Sequence, residues 1–392
     1  MSATQSSDSS KSRAVLYLAF ELGEATWKLG FTMGLGQRPR EREMPSRAVV
    51  VLEKEILAAK ERFGLPEDAP VVSCYEAGRD GFWLHRYLLS KGLENIIVDS
   101  SSIQVDRRQR RAKTDRLDVR KLLKMLVRWQ QGEKDVWSVV RAPTMEEEDA
   151  RQLHRELETL KEEQTSHSNR IKGLLSSCGV VMEVDRHFPK YLRQARLWDG
   201  AEVPADLRQR LLREFARMQG VNRQIRDLEK ERGRRLRQDE EDQGVQKTRA
   251  LLRLKGIGVN SSWLFVREIF GWRKIKNRRE LGALVGLTGS PYKSGSLDHE
   301  QGISKAGNRR MRAMAVEIAW CWLQFQPQSA LSRWYERRFA HHGKRSRRTG
   351  IVAVARKLLV ALWRYLETGV PPEGAELADW RRKISYTQVL EE

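Results

Sequence analysis

Apolar spacing changes character twice along the chain and divides it into three parts. In the first part, short runs of strand length alternate with segments of helical period. AVLYLAF (14–20) and TWKLGFT (26–32) flank a short ELGEA turn, which predicts a β-hairpin. Val50, Leu52, Ile56 and Phe63 recur at helical spacing over 49–63, VVSCYEA (71–77) is a buried-strand run, and FWLHRYLLSKG (82–92) is a helix with a glycine stop. NIIVDS (95–100) is another strand, and Leu117, Leu122, Leu123 and Leu126 mark a helix after it. Hairpin, helix, strand, helix, strand, helix predicts a sheet with helical crossovers over 14–142. The polar opening, residues 1–13, is expected to be disordered.

The alternation ends near Pro143. Leu153, Leu157, Leu160, Gln164, His167, Ile171 and Leu174 then alternate four and three apart, a coiled-coil seam in which Gln164 and His167 are polar register positions. A second helical stretch, 206–238, carries Leu211, Phe215, Met218, Ile225 and Leu228, with FPKYLRQARLWDGAEVP as the connector. Together they predict a coiled-coil arm over 143–245, folded back on itself or paired with another subunit. From 246 to 392 the pattern is mostly helical. It contains a GIG turn (256–258), a glycine-rich segment (282–302), a helix over 306–325, a basic loop HHGKRSRR (341–348) and an apolar helix over 350–367. The predicted class is α/β plus all-α.

Charge sharpens this picture. The 392 residues carry a formal net charge of +21, and Lys/Arg are spread along the length, which favours a nucleic-acid partner. No apolar run reaches the roughly 18 residues of a membrane span, and the N-terminus has no signal-peptide core. Cys74, Cys178 and Cys321 are scattered, so neither a disulfide framework nor a zinc site is expected, and the chain reads as cytoplasmic. The twelve Trp read chiefly as core or interface anchors, with base stacking open to a few.

The candidate chemistry starts in the most basic stretch, DRRQRRAKTDRLDVRKLLKMLVR (106–128), where ten Lys/Arg surround three Asp. Asp115 and Asp118 are three apart and share a helix face. Two acids there repel phosphate, yet a phosphodiester enzyme needs carboxylates to hold Mg²⁺. Glu21 and Glu76 each close a strand-like run, where a rigid sheet points side chains into a crevice. Four such acids make a plausible two-metal cage. The alternative is that Glu21 caps a turn and the aspartates pair with their arginine neighbours.

YEAGRDGFWLHRYL (75–88) and RRAKTDRLDVRKLL (110–123) resemble the DEDD transposases of the insertion-sequence one-ten family. LLRLKGIG, LGALVGLTGSPYKSG and GISKAGNRRMRAMAVEIAW are similar, in the same order, to that family's C-terminal transposase domain. The resemblance implies a ribonuclease-H-like (RuvC-like) N-terminal domain, a coiled-coil arm and a C-terminal transposase domain with a nucleophilic serine. Carried over by position, Glu21, Glu76, Asp115 and Asp118 are the Mg²⁺-binding acids and Ser294 is the nucleophile. The commonest family pattern has Asp where Glu21 stands, and Glu24 is a neighbouring alternative. Taken alone, Ser294 also reads as a turn hydroxyl. The implied partners are donor and target DNA and a noncoding guide (bridge) RNA, handled by homodimers that assemble into a tetramer through the arm, in the nucleoid of a prokaryotic cytoplasm.

The expected nucleic-acid grip comprises Lys113 and Arg116 in the acidic helix region, Gly256 and Gly258 as a phosphate-binding turn, and Lys305, Asn308, Arg309, Arg310 and Arg312 around a helix start. Lys344, Arg345, Arg347 and Arg348 of the basic loop complete it; His341 and His342 lack a partner set for metal. Two rival functions remain open at this stage: a metal-dependent junction resolvase with a structural Ser294, and a noncatalytic nucleic-acid scaffold.

Overall fold

The computed structural model describes residues 14–78, 81–103, 115–294 and 297–389, with the side chains at 101, 115–117, 290–294, 297–301 and 385–389 outside the description. Residues 1–13, expected to be disordered, and the basic run 104–114 with Lys113 lie outside the described residues. Internal contacts divide the chain into two units, 1–143 and 144–392.

In the first unit β1 (Leu16–Leu22), β2 (Thr26–Thr32), β3 (Arg40–Pro45), β4 (Val71–Glu76) and β5 (Glu94–Val98) form one sheet in the order β3-β2-β1-β4-β5. β1 and β2 are the hairpin that the two apolar runs predict, and β1, β4 and β5 are parallel. Parallel neighbours need crossovers, and α1 (Val49–Arg62) and α2 (Trp83–Ser90) lie in them. α3 (Asp115–Gln130) follows β5. Alternation along the strands sorts the core into two layers. Leu18, Phe20, Leu29, Phe31 and Tyr75 pack with Leu52 and Ile56 of α1 and with Leu84 and Leu88 of α2. Ala19, Val72, Cys74 and Ile96 pack with Leu122, Leu123 and Leu126 of α3.

β3 is missing from the hydrophobic reading because its sequence, REREMP, is almost wholly charged. It is an edge strand held by its ladder to β2, and its charges find partners: Arg40 meets Glu55 at 2.5 Å, and Glu41 meets Arg120. Charges on an edge also discourage further strands from adding.

Among its described residues the second unit is helical apart from one hairpin. α4 (Met145–Asp149) starts at a capping box of Thr144 and Glu147. α5 (Gln152–Ser176) and α7 (Ala205–Gln238) run antiparallel, since Lys161 meets Glu229, Gln164 meets Asn222 and His167 meets Glu214. Leu157 and Leu160 pack with Val221 and Ile225 between them. Gln164 and His167 are cross-helix polar positions. The seam expected to end at Leu174 passes to Leu175 instead, because α6 (Phe188–Gln194) packs Phe188 and Leu192 against Ile171, Leu175, Leu211 and Phe215.

The rest of the unit comprises α8 (Gln243–Leu252), α9 (Val259–Phe265), α10 (Arg278–Leu284), the hairpin β6 (Gly289–Ser294) and β7 (Leu297–Ile303), α11 (Arg309–Phe325), α12 (Ala330–Tyr335), α13 (Lys344–Thr368) and α14 (Trp380–Val389). π-helical turns at Val266–Phe270 and Glu336–Ala340 extend α9 and α12. Residues from α8 through α13 share one core that includes Phe265, Trp322 and Leu358.

Two expectations are corrected in this unit. The glycine-rich segment 282–302 contains the β6–β7 hairpin, whose pairing is made by backbone and leaves little side-chain signal. The basic segment 341–348 is not a loop throughout, because Lys344 to Arg348 form the first turn of α13. Cations at a helix start oppose the macrodipole, but the buried stripe of Ile351, Val354, Ala355 and Leu358 carries the helix back through them. Among the described residues no helix is long and apolar enough to cross a membrane.

Glu214 shows what holds the α5–α7 pair in register. It is 3% exposed and meets His167 at 2.6 Å, Arg217 at 2.9 Å and also Arg170. Burial disfavours its charge, but the hydrogen bonds from His167 and Arg170 outweigh this and hold its carboxyl below the ordinary value of 4.5. A carboxyl held low in the fold stabilises it above the ordinary value, and that contribution is lost as pH falls through the folded value. Glu214→Gln is therefore expected to cost about 2 kcal/mol near neutral pH. In urea melts its difference from the parent should shrink as pH drops below 4.5; a difference unchanged by pH refutes the ionic role.

Candidate active site and nucleic-acid groove

Ala19 and Gly30 face each other across β1 and β2 and form a flat seat for α3. A Cβ placed on Gly30 would stand 2.5 Å from Cγ1 of Val119, so the helix lies directly against strand backbone there. Two further contacts set its direction. The Leu122 carbonyl faces Sγ of Cys74 at 4.0 Å, and Nε2 of Gln130 donates to Glu94, the first residue of β5, at 3.1 Å. α3 therefore runs against β1, β4 and β5, and its first turn lies toward their carboxyl ends.

Phe20 and Tyr75 are partners across parallel β1 and β4, so the next residues, Glu21 and Glu76, stand side by side at the strand ends. By alternation both belong to the α3 face, with Ala19 and Cys74. From Val119 back to Asp115 is about 6 Å of helix rise. From Ala19 to Glu21 is about 6.6 Å of strand, so Asp115 stands level with the glutamates. Asp118, half-exposed, shares its helix face. Burial, and after it the Glu76 carboxylate, pushes the Cys74 thiol up. Topology thus brings the four acids to one corner of the sheet. Among the described residues, which exclude the Asp115 side chain, no three His, Cys, Asp or Glu side chains form a ready metal-binding group. Glu24 falls outside this arrangement, in the turn between β1 and β2.

In the second unit Ser294 is the last paired residue of β6, opposite Leu297 at the far end of the hairpin. The base of the hairpin is tightly closed. Ser304 N–H donates to the Thr288 carbonyl at 2.8 Å and Asn308 N–H to the Leu284 carbonyl at 2.9 Å. Gly286 (φ +66°) and Gly307 (φ +81°) are needed here, since a Cβ on either would come within 1.9 Å of the Ala306 oxygen or 2.3 Å of the Leu284 oxygen. Arg312 donates to the Val285 and Ala306 carbonyls at 3.1 and 3.3 Å, which gives it a place in this base. Lys305 is an exposed non-glycine residue with φ +57°, a costly conformation that the surrounding bonds impose.

The other expected grip residues divide. Asn308 caps α11 by accepting from Met311 N–H, and Arg310 meets Glu158 of α5 at 2.9 Å. Arg309 is exposed at the helix start, and the Arg116 side chain lies outside the description. At the GIG turn, Gly256 brings the chain against α11, where a Cβ would stand 3.1 Å from the Cys321 oxygen. Gly258 N–H donates to Ser261, Ile257 N–H to Leu254, and Lys255 N–H to Glu376. Those donors are spent within the protein. Lys383 of α14 donates to the Leu254 and Ile257 carbonyls at 2.7 and 2.9 Å, and burial pulls its amine down to about 8.

Lys344, Arg345, Arg347 and Arg348 are exposed on the first turn of α13. Lys344, Arg345 and Arg348 line a half-open cleft of about 1940 Å³, together with Lys305 at the hairpin base. Sequence reading missed the other cations of this cleft: Arg278, Arg279, Arg337, Arg338, Arg356, Lys357 and Arg364. They come from three separate segments, so no single window of sequence displays them. His341 stands 3.7 Å from Glu336 and belongs to no metal group among the described residues.

One unit thus ends two parallel strands in glutamates, and the other lines a cleft with cations. A Sinorhizobium fredii (strain NGR234) protein named as a transposase, y4rJ, is 37% identical to this chain over 372 residues, 92% of this chain and 94% of that protein. The Yersinia enterocolitica transposase for insertion sequence element IS1328 is 27% identical over 192 residues, 48% of this chain and 55% of that protein. Residues 248–334 match the description Transposase IS116/IS110/IS902 family. The chain belongs to that family of transposases.

The seat under α3 generates a direct test. Gly30→Ala is expected to destabilise the first unit by about 1–3 kcal/mol through overpacking. Val119→Ala, which removes the opposing methyl groups, should restore part of that loss in a double-mutant cycle. Additive losses in denaturant melts would show that the two positions do not meet.

Proposed function

We propose that this transposase cuts and rejoins donor and target DNA through a ribonuclease-H-like (RuvC-like) catalytic unit with Mg²⁺ and a serine nucleophile, directed by a noncoding bridge RNA. The observation that carries the proposal is the acid corner, where Glu21 and Glu76 end neighbouring parallel strands level with the Asp-bearing first turn of α3. The strand order β3-β2-β1-β4-β5, with β2 antiparallel to both neighbours, supports the ribonuclease-H-like reading. The donor set is carboxylate oxygen throughout, hard ligands that suit Mg²⁺. Glu21, Glu76, Asp115 and Asp118 would hold it. Bound there, Mg²⁺ supplies positive charge against the negative charge that builds on the phosphate during strand cleavage.

Ser294 supplies the covalent step from the end of its hairpin. Its Oγ attacks phosphorus, an Oγ–P bond forms, and a P–O bond to one deoxyribose breaks. A base takes the serine proton and the departing sugar oxygen gains one. The phosphoserine diester conserves the bond for attack by a second strand end, which rejoins DNA. Target choice by a paired RNA needs no base-reading residues in the protein. The proposed layout is a catalytic domain over 14–142, a coiled-coil arm over 143–245 and a C-terminal domain over 246–392. Dimers form tetramers through the arm, whose tip exposes Val181 (94%) and Trp198 (85%). The site of action is the nucleoid of a prokaryotic cytoplasm.

The test is incubation with Mg²⁺, donor and target DNA and the RNA flanking the gene, followed by a search for a covalent protein–DNA adduct. Ser294→Ala should abolish the adduct and leave DNA binding intact. Asp115→Asn and Glu76→Gln should each lower strand cleavage by about 10³-fold or more. An adduct that survives Ser294→Ala rules out the nucleophile, and Mg²⁺-dependent nicking with no adduct in the parent protein points to hydrolysis.

A further inference from the structure

The cleft of the second unit has a composition unlike the rest of the chain. Its lining holds eleven Arg/Lys and, among the described residues, one acid, Glu373, whereas the whole chain has 73 Lys/Arg to 52 Asp/Glu. Such an imbalance is self-repelling unless a polyanion enters. The lining is not uniformly polar: Leu331, Trp334, Phe339 and Val352 contribute to it. Gly350 of α13 fixes part of this floor, because a Cβ there would stand 2.5 Å from the Phe339 ring. Trp334 meets Phe339 edge-on with centroids 5.4 Å apart and carries the Lys357 ammonium 4.6 Å over its ring.

We infer that this cleft holds an unpaired nucleic-acid strand, with phosphates along its arginine walls and bases against the Trp334–Phe339 floor, and leads that strand to the Ser294 hairpin. This rests on the reading of the second unit as a nucleic-acid-handling unit. A duplex exposes base edges in its grooves but keeps the base faces stacked inside, so it offers no free face to an aromatic floor. It is also too large: about 20 Å across and rising about 3.4 Å per pair, a duplex sweeps about 1,000 Å³ per base pair. A cleft of about 1940 Å³ would enclose fewer than two pairs. A single strand of several nucleotides fits, and aromatic floors with basic walls are how such strands are held, commonly about 4–16 nucleotides at a time. Lys357 can leave the Trp334 face for a phosphate as a base takes its place. Gly289, Gly302, Ile303 and Lys305 of the hairpin base line the same cleft, so a strand lying there runs beside the stem that carries Ser294.

The experiment uses the full-length protein and oligonucleotides of about 12 nucleotides, single-stranded DNA, single-stranded RNA and duplex DNA, in fluorescence anisotropy across a salt series. The variant is Arg337→Gln/Arg338→Gln/Arg364→Gln, three exposed positions, with an unchanged thermal melt as the folding control. Single-strand affinity should fall at least tenfold, and the log–log salt slope should flatten by about 2, near 0.7 for each lost phosphate contact. Duplex affinity should stay within about threefold of the parent, less than one lost phosphate contact costs. A loss confined to one sugar assigns the strand as RNA or DNA. In a second measurement, a photoreactive base in the strand should crosslink to the peptide containing Trp334 and Phe339. Equal losses for duplex and single strand, or no loss with either, overturn the inference. Neither measurement depends on covalent chemistry, so a failed adduct assay with Ser294→Ala and a failed result here are separate outcomes.

Discussion

The first unit depends on one steric fact, the absence of side-chain bulk where α3 crosses the sheet. Ala19 and Gly30 are register partners, and Val119 lies against them at a distance that a Cβ on Gly30 would forbid. A helix resting on backbone cannot slide along the strands without lifting its own β-branched side chain out of the seat. Translation and rotation of α3 are therefore fixed at one point, and Leu122 over Cys74 and Gln130 at Glu94 fix its direction. The acids follow from this. The first turn of α3 comes level with Glu21 and Glu76 because an antiparallel helix, seated four residues past its start, must begin where the parallel strands end.

The second unit uses the same device for a different part. Gly286 and Gly307 let the end of α10 and the start of α11 cross at backbone distance, with Arg312 bonded to carbonyls from both sides. The hairpin is thus clamped at its base, and Ser294 is carried at its far end. Each candidate chemical group is held by a rigid element whose foot is locked by missing Cβ atoms. Rigid seating of this kind is what any reaction between two positioned groups requires.

Much of this was legible in the sequence, and the failures have physical causes. The hairpin, the parallel strands and the acid-bearing helix follow from apolar periodicity because each buries a face. β3 escaped because an edge strand is held by its ladder and by ion pairs such as Arg40–Glu55, which leave no apolar alternation. The β6–β7 hairpin escaped because glycine and serine read as loop when the stabilising bonds are backbone. The Gly256–Gly258 turn carries a phosphate-binding signature, yet Ser261, Leu254 and Glu376 take its donors. A local motif says which groups are presented, and only the fold says whether they are already spent. Nor can a motif reveal a cleft whose walls come from residues 278 to 373.

The two helical regions of the second unit differ in how their charge is answered. In the α5–α7 pair several cations are answered from within: Lys161 by Glu229, Arg170 and Arg217 by Glu214, Arg234 and Arg235 by Glu231, whose carboxyl those arginines hold at about 2. Paired charge of this sort sets helix register and offers little to an incoming phosphate, since binding would first have to break it. The cleft cations face one glutamate among the described lining residues. A chain with a net charge of +21 must hold that excess somewhere. Repulsion within the cleft is relieved by a polyanion, and the free energy stored there in the apo protein becomes part of the attraction once a strand is bound. Charge paired between α5 and α7 is thus tied up in holding the helices together, whereas the described lining of the cleft keeps a large excess of cations.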